Sequence, residues 1–142
     1  MQRNEIQNEP QTWVASEALP WIPLGPGKAF KPLMFLPENT GFVELLRLEP
    51  GQEIAWHRHT GCVHAINLSG SRELHTGEQI GPLDYVYEPA GNVDRWKVLG
   101  TEPLILFVVV YGQVEYLDDA GKVTAVFTAE RLKEVAAGKV HS

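Results

Sequence analysis

Cysteine is nearly absent from this sequence, since Cys62 is the single one among 142 residues. One thiol cannot form a disulfide within the chain, which excludes a fold held by internal disulfides and gives no indication of secretion. The longest apolar run, Leu104–Tyr111, has eight residues, whereas about 20 are needed to cross a bilayer. Residues 1–6 are polar and lack the apolar stretch of a signal peptide. Together these absences predict a cytoplasmic protein.

Basic residues are also scarce, with 12 Lys and Arg against 18 Asp and Glu and a formal net charge of −6. Nucleic acids and anionic membranes attract proteins through clusters of positive charge. The charge balance therefore excludes both as expected partners. The remaining composition, 44% hydrophobic with 13 Gly and 10 Pro, is typical of one turn-rich domain with a single core.

Ten short apolar or alternating segments follow one another along most of the chain. Gly, Pro, Asn and Asp separate them at intervals of roughly 8–12 residues, a pattern typical of an antiparallel sandwich or barrel. We therefore predict an all-β fold. The predicted strands are residues 30–36, 42–48, 54–59, 62–68, 72–75, 85–88, 94–99, 103–111, 113–117 and 123–127.

The N-terminal part of the chain departs from this pattern. Residues 1–11 are polar and are expected to fray. Residues 12–37 carry prolines at positions 20, 23, 26 and 32, which argue against a long helix and against any central strand. We predict an extended arm there, laid along the edge of the domain or along a second subunit.

The barrel itself is expected over residues 38–127, followed by a short helix over residues 128–137. Thr128 is placed to cap the N-terminus of this helix, and Gly138 is placed to end it. An arm and an exposed edge strand would together favour a homodimer.

Three of the five histidines, His57, His59 and His64, fall within eight positions. Alternate residues of a strand share a face, so His57 and His59 project together with Cα atoms roughly 6.5–7 Å apart. Two imidazoles at that distance can bind one cation. If residues 60–61 form a two-residue hairpin turn, His64 faces His57 across the ladder; a longer turn rotates it away. The cluster predicts a metal site.

The other two histidines lack such company. His75 lies in a polar segment with Arg72 and Glu73, and His141 lies in the tail. Both are expected to face solvent.

Two stretches resemble the conserved motifs of the cupin superfamily. The spacing Gly51-x5-His57-x-His59-x4-His64 is similar to the first motif, with His64 where glutamate is usual. In the second, Pro89-Ala-Gly-Asn-Val-Asp94 is similar to a motif that ends in histidine. The resemblance implies a double-stranded β-barrel of the jelly-roll type, with an N-terminal arm and a C-terminal helix added to it.

A narrower group within that superfamily is also similar. Residues 19–24, 30–33 and 85–91 look like the small single-domain cupins that include 2,4'-dihydroxyacetophenone dioxygenase and the acetylacetone-cleaving dioxygenases. This resemblance implies an iron(II) enzyme that uses O2 to cleave a C–C bond next to a carbonyl group. Its partners would be O2 and a small β-dicarbonyl or hydroxyketone substrate.

Carried over residue by residue, the resemblance implies that His57 and His59 are metal ligands. His64 then occupies the position of the usual glutamate, and Asp94 that of the last histidine. One divalent ion is implied, Fe(II) first, with Zn, Ni or Mn as the other options. Three roles stay open for Asp94: a fourth ligand, an acceptor that orients a ligand, or the base that removes a substrate proton.

An apolar substrate pocket is expected around the metal. In such a hairpin, Cys62 and Ile66 lie on the same strand face as His64 and point inward. Trp96 lies two residues after Asp94 and therefore shares its strand face. An apolar lining with few polar groups suits a small organic ligand. Cys62 is equally compatible with a small core residue. Glu88 is interpreted as a strand residue that can orient a histidine.

Two further functions stay open beside the dioxygenase. One is a non-catalytic, metal-binding module that senses a ligand, like the cupins attached to anti-sigma factors. The other is a metal-dependent isomerase or lyase that does not use oxygen. The sequence shows no helical partner-binding domain, which a regulator would be expected to carry, and this favours an enzyme. Fold resemblance alone does not separate the three.

Overall fold

A computed structural model describes residues 12–139, so the predictions for residues 1–11 and for His141 lie outside it. The described part contains two short 3-10 turns, Ser16–Ala18 and Pro37–Asn39, and one helix, α1 (Ala129–Ala136). The strands are β1 (Ile22–Gly25), β2 (Lys28–Phe35), β3 (Gly41–Leu48), β4 (Glu53–His59), β5 (Val63–Ser69), β6 (Ser71–Leu74), β7 (Gln79–Ile80), β8 (Tyr85–Glu88), β9 (Val93–Leu99), β10 (Leu104–Tyr111), β11 (Val114–Leu117) and β12 (Val123–Phe127).

The strands form two six-stranded antiparallel sheets that enclose one interior. The first sheet has the order β1-β2-β3-β10-β5-β8, and the second has the order β12-β11-β4-β9-β6-β7. Buried apolar side chains from both sheets meet between them, among them Phe42 and Val110 at one end and Trp96 and Leu104 at the other. The prediction of a mostly-β fold with one short C-terminal helix is confirmed.

The segment that we expected as an extended arm instead supplies two of these strands. β2 lies between β1 and β3, so the prediction that its prolines exclude a central strand is wrong. The register of β2 against β3 shifts between Pro32 and Met34. Such a bulge is one of the few places where a sheet accommodates a residue without an N–H donor.

Residues 60–61 do not form the two-residue hairpin turn on which the placement of His64 opposite His57 depended. β4 pairs with β9 and β11, whereas β5 pairs with β10 and β8, so the connection crosses from one sheet to the other. Gly61 is needed here for a close approach: a Cβ on it would lie 2.4 Å from the carbonyl oxygen of Tyr111. The connection therefore packs against the β10–β11 turn and does not form a two-residue hairpin turn.

Helix α1 follows the last strand and covers one end of the interior. The hydroxyl of Thr128 accepts a hydrogen bond from the backbone N–H of Arg131 at 3.1 Å, as expected of an N-cap. Ala129, Leu132 and Val135 are buried on one face. Across residues 12–139, no helix has the length and apolar character needed to span a bilayer.

Candidate metal centre

A bulge in β4 decides which of its side chains reach the interior. Ile54 pairs with Trp96 and His57 pairs with Asp94, so two residues of β4 oppose one residue of β9 between these pairs. Without the bulge, Ile54 and His57 would lie on opposite faces of the strand. With it, Ile54, His57 and His59 are all buried.

Three buried side chains converge in the interior from opposite sheets. His57 and His59 come from β4, and Glu88 comes from the end of β8. One ligand atom from each lies within 4.8 Å of the other two, and His59 Nε2 is 3.6 Å from Glu88 Oε2. Two imidazoles and one carboxylate at this spacing form a group that can bind a divalent ion. We call this group the inner cluster.

Neighbouring groups hold the inner cluster in place. The carbonyl oxygen of Ala55 can only accept a hydrogen bond, so His57 Nδ1, 2.8 Å away, is protonated and donates to it. This leaves His57 Nε2 as the ring nitrogen available to a metal. Glu88 Oε1 accepts a hydrogen bond from Asn92 at 2.8 Å. Both contacts fix the orientation of a candidate ligand.

Burial keeps the imidazole of His59 neutral. It lowers the pKa of His59 to about 3, with a further contribution from His57. Burial also raises the pKa of Glu88, although the hydrogen bond from Asn92 opposes that effect. Among the described residues, His59 Nδ1 has no hydrogen-bond partner. A neutral imidazole is the form that binds a metal, so the residues present fit one.

The inner cluster opens into a cavity of about 450 Å³ with mostly apolar walls. Trp96, expected in the pocket, lines it, whereas Cys62 and Ile66 do not. Val63 and Ala65 face the cavity instead. The expected parity of this segment was inverted because β5 does not pair with β4. Such a volume is typical of a site for a small organic ligand.

Arg72 adds a positive charge to this cavity. Its guanidinium lies 4.7 Å from the centroid of the Trp96 ring. Burial lowers the pKa of Arg72, and the charges of Glu88 and Asp94 oppose that effect. The cationic side chain therefore lies close enough to the inner cluster to stabilise negative charge there.

His64 is turned to the opposite face of its strand. Its Nδ1 lies 2.5 Å from the hydroxyl oxygen of Tyr85, and its ring centroid lies 5.3 Å from that of Tyr87 and 6.4 Å from that of Tyr111. All three tyrosines are exposed. The inference that His64 faces His57 is therefore wrong. We call His64 and these three tyrosines the outer cluster.

Asp94 also lies outside the inner cluster. It is buried, and its Oδ1 accepts hydrogen bonds from His75 Nδ1 at 2.7 Å and from the backbone N–H of Arg95 at 2.8 Å. His75 itself is exposed, as expected, but it is paired with this carboxylate and its ring contacts Trp56. Asp94 does not line the cavity.

Sequence reasoning gave Glu88 only an orienting role, although strand alternation could have revealed more. In Tyr85–Glu88, period two sets Val86 and Glu88 on one face and the two tyrosines on the other. Glu44, which lines the same cavity, was not singled out at all. It shares a strand face with Phe42 and Leu46. In both strands, an acidic residue on an otherwise apolar face was the signal that could have identified it.

Comparison with known proteins agrees with the fold. Residues 9–115 match the family described as the ChrR Cupin-like domain. No protein of curated function matches the sequence. Many solved structures are similar. An RmlC-like cupin protein from Ralstonia eutropha JMP134 is 26% identical with a TM-score of 0.78, over 84% of this chain and 80% of that one.

Two further structures carry more specific names. An acetylacetone dioxygenase from Acinetobacter johnsonii has a TM-score of 0.79 at 16% identity, over 96% of both chains. The anti-sigma factor ChrR, in its complex with SigE from Rhodobacter sphaeroides, has a TM-score of 0.57 at 21% identity, over 64% of this chain and 49% of that one. At these identities both likenesses show the fold. The predicted cupin-type barrel is confirmed.

Proposed function

This chain belongs to the family of ChrR cupin-like domains, and from that premise we propose that it is a mononuclear non-haem iron dioxygenase. Its reaction would cleave a C–C bond next to a carbonyl group in a small β-dicarbonyl or hydroxyketone. The observation that carries the proposal is the inner cluster of His57, His59 and Glu88. Two histidines and one carboxylate are the ligand set typical of non-haem Fe(II) oxygenases, because open positions remain for substrate and O2.

The proposed ligand set replaces part of the set expected from sequence. His57 and His59 keep their role, and Glu88 takes the place of both His64 and Asp94. The chemistry that Fe(II) supplies at such a site is polarisation of a carbonyl oxygen and reduction of O2. Other divalent ions, Zn, Ni or Mn, would fit the same donors.

The surrounding residues would bind and orient the substrate. Trp96 and the apolar walls would pack against the substrate, and the Arg72 guanidinium would stabilise an enolate that forms near Glu88. Asp94 stays a prediction as the base that removes a substrate proton. Its Oδ1 already accepts hydrogen bonds from His75 and from the backbone N–H of Arg95, so Oδ2 would be the atom that accepts that proton.

The likeness to an acetylacetone dioxygenase supports this function, and the likeness to ChrR supports an alternative. The alternative is a metal-binding module that senses a ligand without turning it over. Both functions use the same metal group and the same cavity. They differ in whether O2 is consumed.

A single purification can test the proposal. The protein would be purified without added metal, its metal content measured by elemental analysis, and O2 uptake recorded with acetylacetone and a panel of hydroxyacetophenones. Bound iron with substrate-dependent uptake is expected, and His57→Ala should abolish both. Tightly bound zinc with no uptake on any compound would contradict the enzyme and favour the sensing module.

A cytoplasmic homodimer stays part of the proposal. β8 lies at the end of its sheet, and the exposed rings of Tyr85 and Tyr87 lie on it. Exposed aromatic side chains on the last strand of a sheet are compatible with contact to a second copy. Light scattering coupled to size-exclusion chromatography would give the mass in solution, and a monomer would remove this part of the proposal.

A further inference from the structure

Glu44 is a buried acid that lines the cavity. It lies on β3, where Phe42, Glu44 and Leu46 alternate with outward residues and all three line the cavity. Only 7% of Glu44 is exposed. Among the described residues, its Oε1 has no hydrogen-bond partner. Buried polar groups in proteins are nearly always hydrogen-bonded, so an unpaired one needs an explanation.

The surroundings of Glu44 favour its neutral, protonated form. Burial raises the pKa of Glu44 to about 8. The nearby Tyr116 has its pKa raised to about 12, first by burial and then by the charge of Glu44. Because of its raised pKa, Glu44 is a neutral carboxylic acid near neutral pH. In that form its side chain can both donate and accept a hydrogen bond.

Glu44 and the inner cluster lie at different positions along one cavity. β3, which carries Glu44, is separated from β8, which carries Glu88, by β10 and β5. Three strand spacings amount to roughly 14 Å along the sheet, and the curvature of the sheet shortens the direct path. Val108 and Ala65 line the cavity between them. Along this sheet, apolar side chains therefore separate Glu44 from Glu88.

We propose that Glu44 is a substrate-binding residue that hydrogen bonds to an oxygen-bearing group at the far end of a ligand held at the inner cluster. The substrate class is then a β-dicarbonyl or hydroxyketone with a second polar group, a hydroxyl or a carbonyl, beyond an apolar spacer. Satisfying a buried, unpaired acid is an interaction that a purely apolar ligand cannot make. This inference rests on the proposed function, because the near end of the ligand is held by the proposed metal.

A matched pair of diketones tests the inference by binding. Benzoylacetone and its para-hydroxy derivative differ by one hydroxyl at the end away from the dicarbonyl group. Their dissociation constants would be measured by calorimetry on the Fe(II)-loaded protein without O2. We expect the wild type to bind the hydroxylated compound about tenfold more tightly, as one net hydrogen bond implies.

Three variants assign the preference to Glu44. Glu44→Leu should reduce the ratio of affinities to about one, and Glu44→Gln, which retains a donor and an acceptor, should keep a preference of several-fold. Glu115→Gln is the matched control, because Glu115 lies outside the cavity and pairs with Arg58. It should leave both affinities unchanged. A merely structural role for Glu44 would move both affinities together and not their ratio.

The outcomes separate this inference from the proposed function. Equal binding of the two compounds by the wild type would overturn the role of Glu44 and leave the metal-centred function standing. A preference that persists in Glu44→Leu would overturn it as well. Failure of the metal-loaded wild type to bind either compound would overturn the proposed function and the inference with it. The wild-type ratio alone can refute the role, so the test does not depend on the folding of one variant.

Discussion

The inner and outer clusters contain histidines from one short stretch of sequence, but their environments differ in almost every respect. His57 and His59 are 3% and 6% exposed and face a carboxylate. His64 is partly exposed and lies among phenol rings on the opposite surface of the other sheet. The two imidazoles of the inner cluster and the carboxylate of Glu88 together form a donor set that can bind a divalent ion. The outer cluster contains no carboxylate.

The two groups of histidines differ in environment because β4 and β5 belong to different sheets. β4 and β5 follow each other in the chain, but each pairs with strands that are distant in sequence. The short connection through Gly61 carries the chain from one sheet to the other. A side chain at a given spacing therefore reaches the interior or the surface according to which sheet its strand joins, and close spacing in sequence does not bring two histidines to one site.

The largest expected contrast is between His59→Ala and His64→Ala. Removing a direct ligand should lower the affinity for Fe(II) or Zn by more than a hundredfold, since even the residues that support ligands typically contribute ~10–100-fold. His64→Ala should leave the affinity unchanged, because His64 lies on the outer surface. Competition with a chromophoric chelator would measure both values.

His75→Ala serves as a second control for that contrast. His75 is exposed and bonded to Asp94, so its loss should not remove the metal. Equal loss of metal in His59→Ala, His64→Ala and His75→Ala would show that the inner cluster is not the site.

The next contrast concerns the two carboxylates near the interior. Glu88→Ala should weaken metal binding by at least about tenfold, whereas Asp94→Ala should change it by less than about threefold. The smaller loss compared with His59→Ala is expected because water can fill the position of a missing carboxylate. Both affinities follow from the same chelator competition. The reverse order would restore Asp94 as the ligand in place of Glu88.

Much of the fold was predictable because it depends on local signals. Alternation and turn residues located most of the strands, and Thr128 marked the start of α1. The status of β2 was not predictable in this way, because a bulge beside Pro32 accommodates a residue that local rules exclude from a central strand.

Half of the candidate site was predictable, for a different reason. His57 and His59 share a face within one strand, so period two alone brings them together. Glu88 reaches them through a strand of the opposite sheet, and no spacing in the sequence encodes that approach. His64 was misplaced because the direction of its side chain depends on strand pairing and not on its distance from His59.

The interior also contains a group that should make stability depend on pH. The pKa of Glu44 is raised from 4.5 to about 8 by burial. The unfolded chain loses this proton above pH 4.5 while the folded chain keeps it, so the free energy of unfolding should fall as the pH rises from 4.5 to 8. We expect the free energy of unfolding to fall by about 2 kcal/mol over this range. This is less than the full pKa difference would give, because water entering the cavity can solvate the ionised Glu44.

Comparison with Glu44→Gln isolates this effect in urea unfolding of metal-free protein. His59 acts in the opposite direction, because its lowered pKa of about 3 makes stability fall as the pH drops below 6.5. The difference between wild type and variant cancels that contribution. Parallel pH profiles for the two proteins would contradict a buried, protonated Glu44.

The smallest effect is expected from the outer cluster. Tyr85→Phe removes the hydroxyl that lies 2.5 Å from His64 Nδ1. Tyr85 is 60% exposed, so water can replace the lost partner, and the free energy of unfolding should fall by only about 0.5 kcal/mol. Urea denaturation would measure that change, and chelator competition should show unaltered metal affinity. A loss of metal in Tyr85→Phe would mean that the outer cluster is coupled to the inner one, and the division between the two surfaces would then fail.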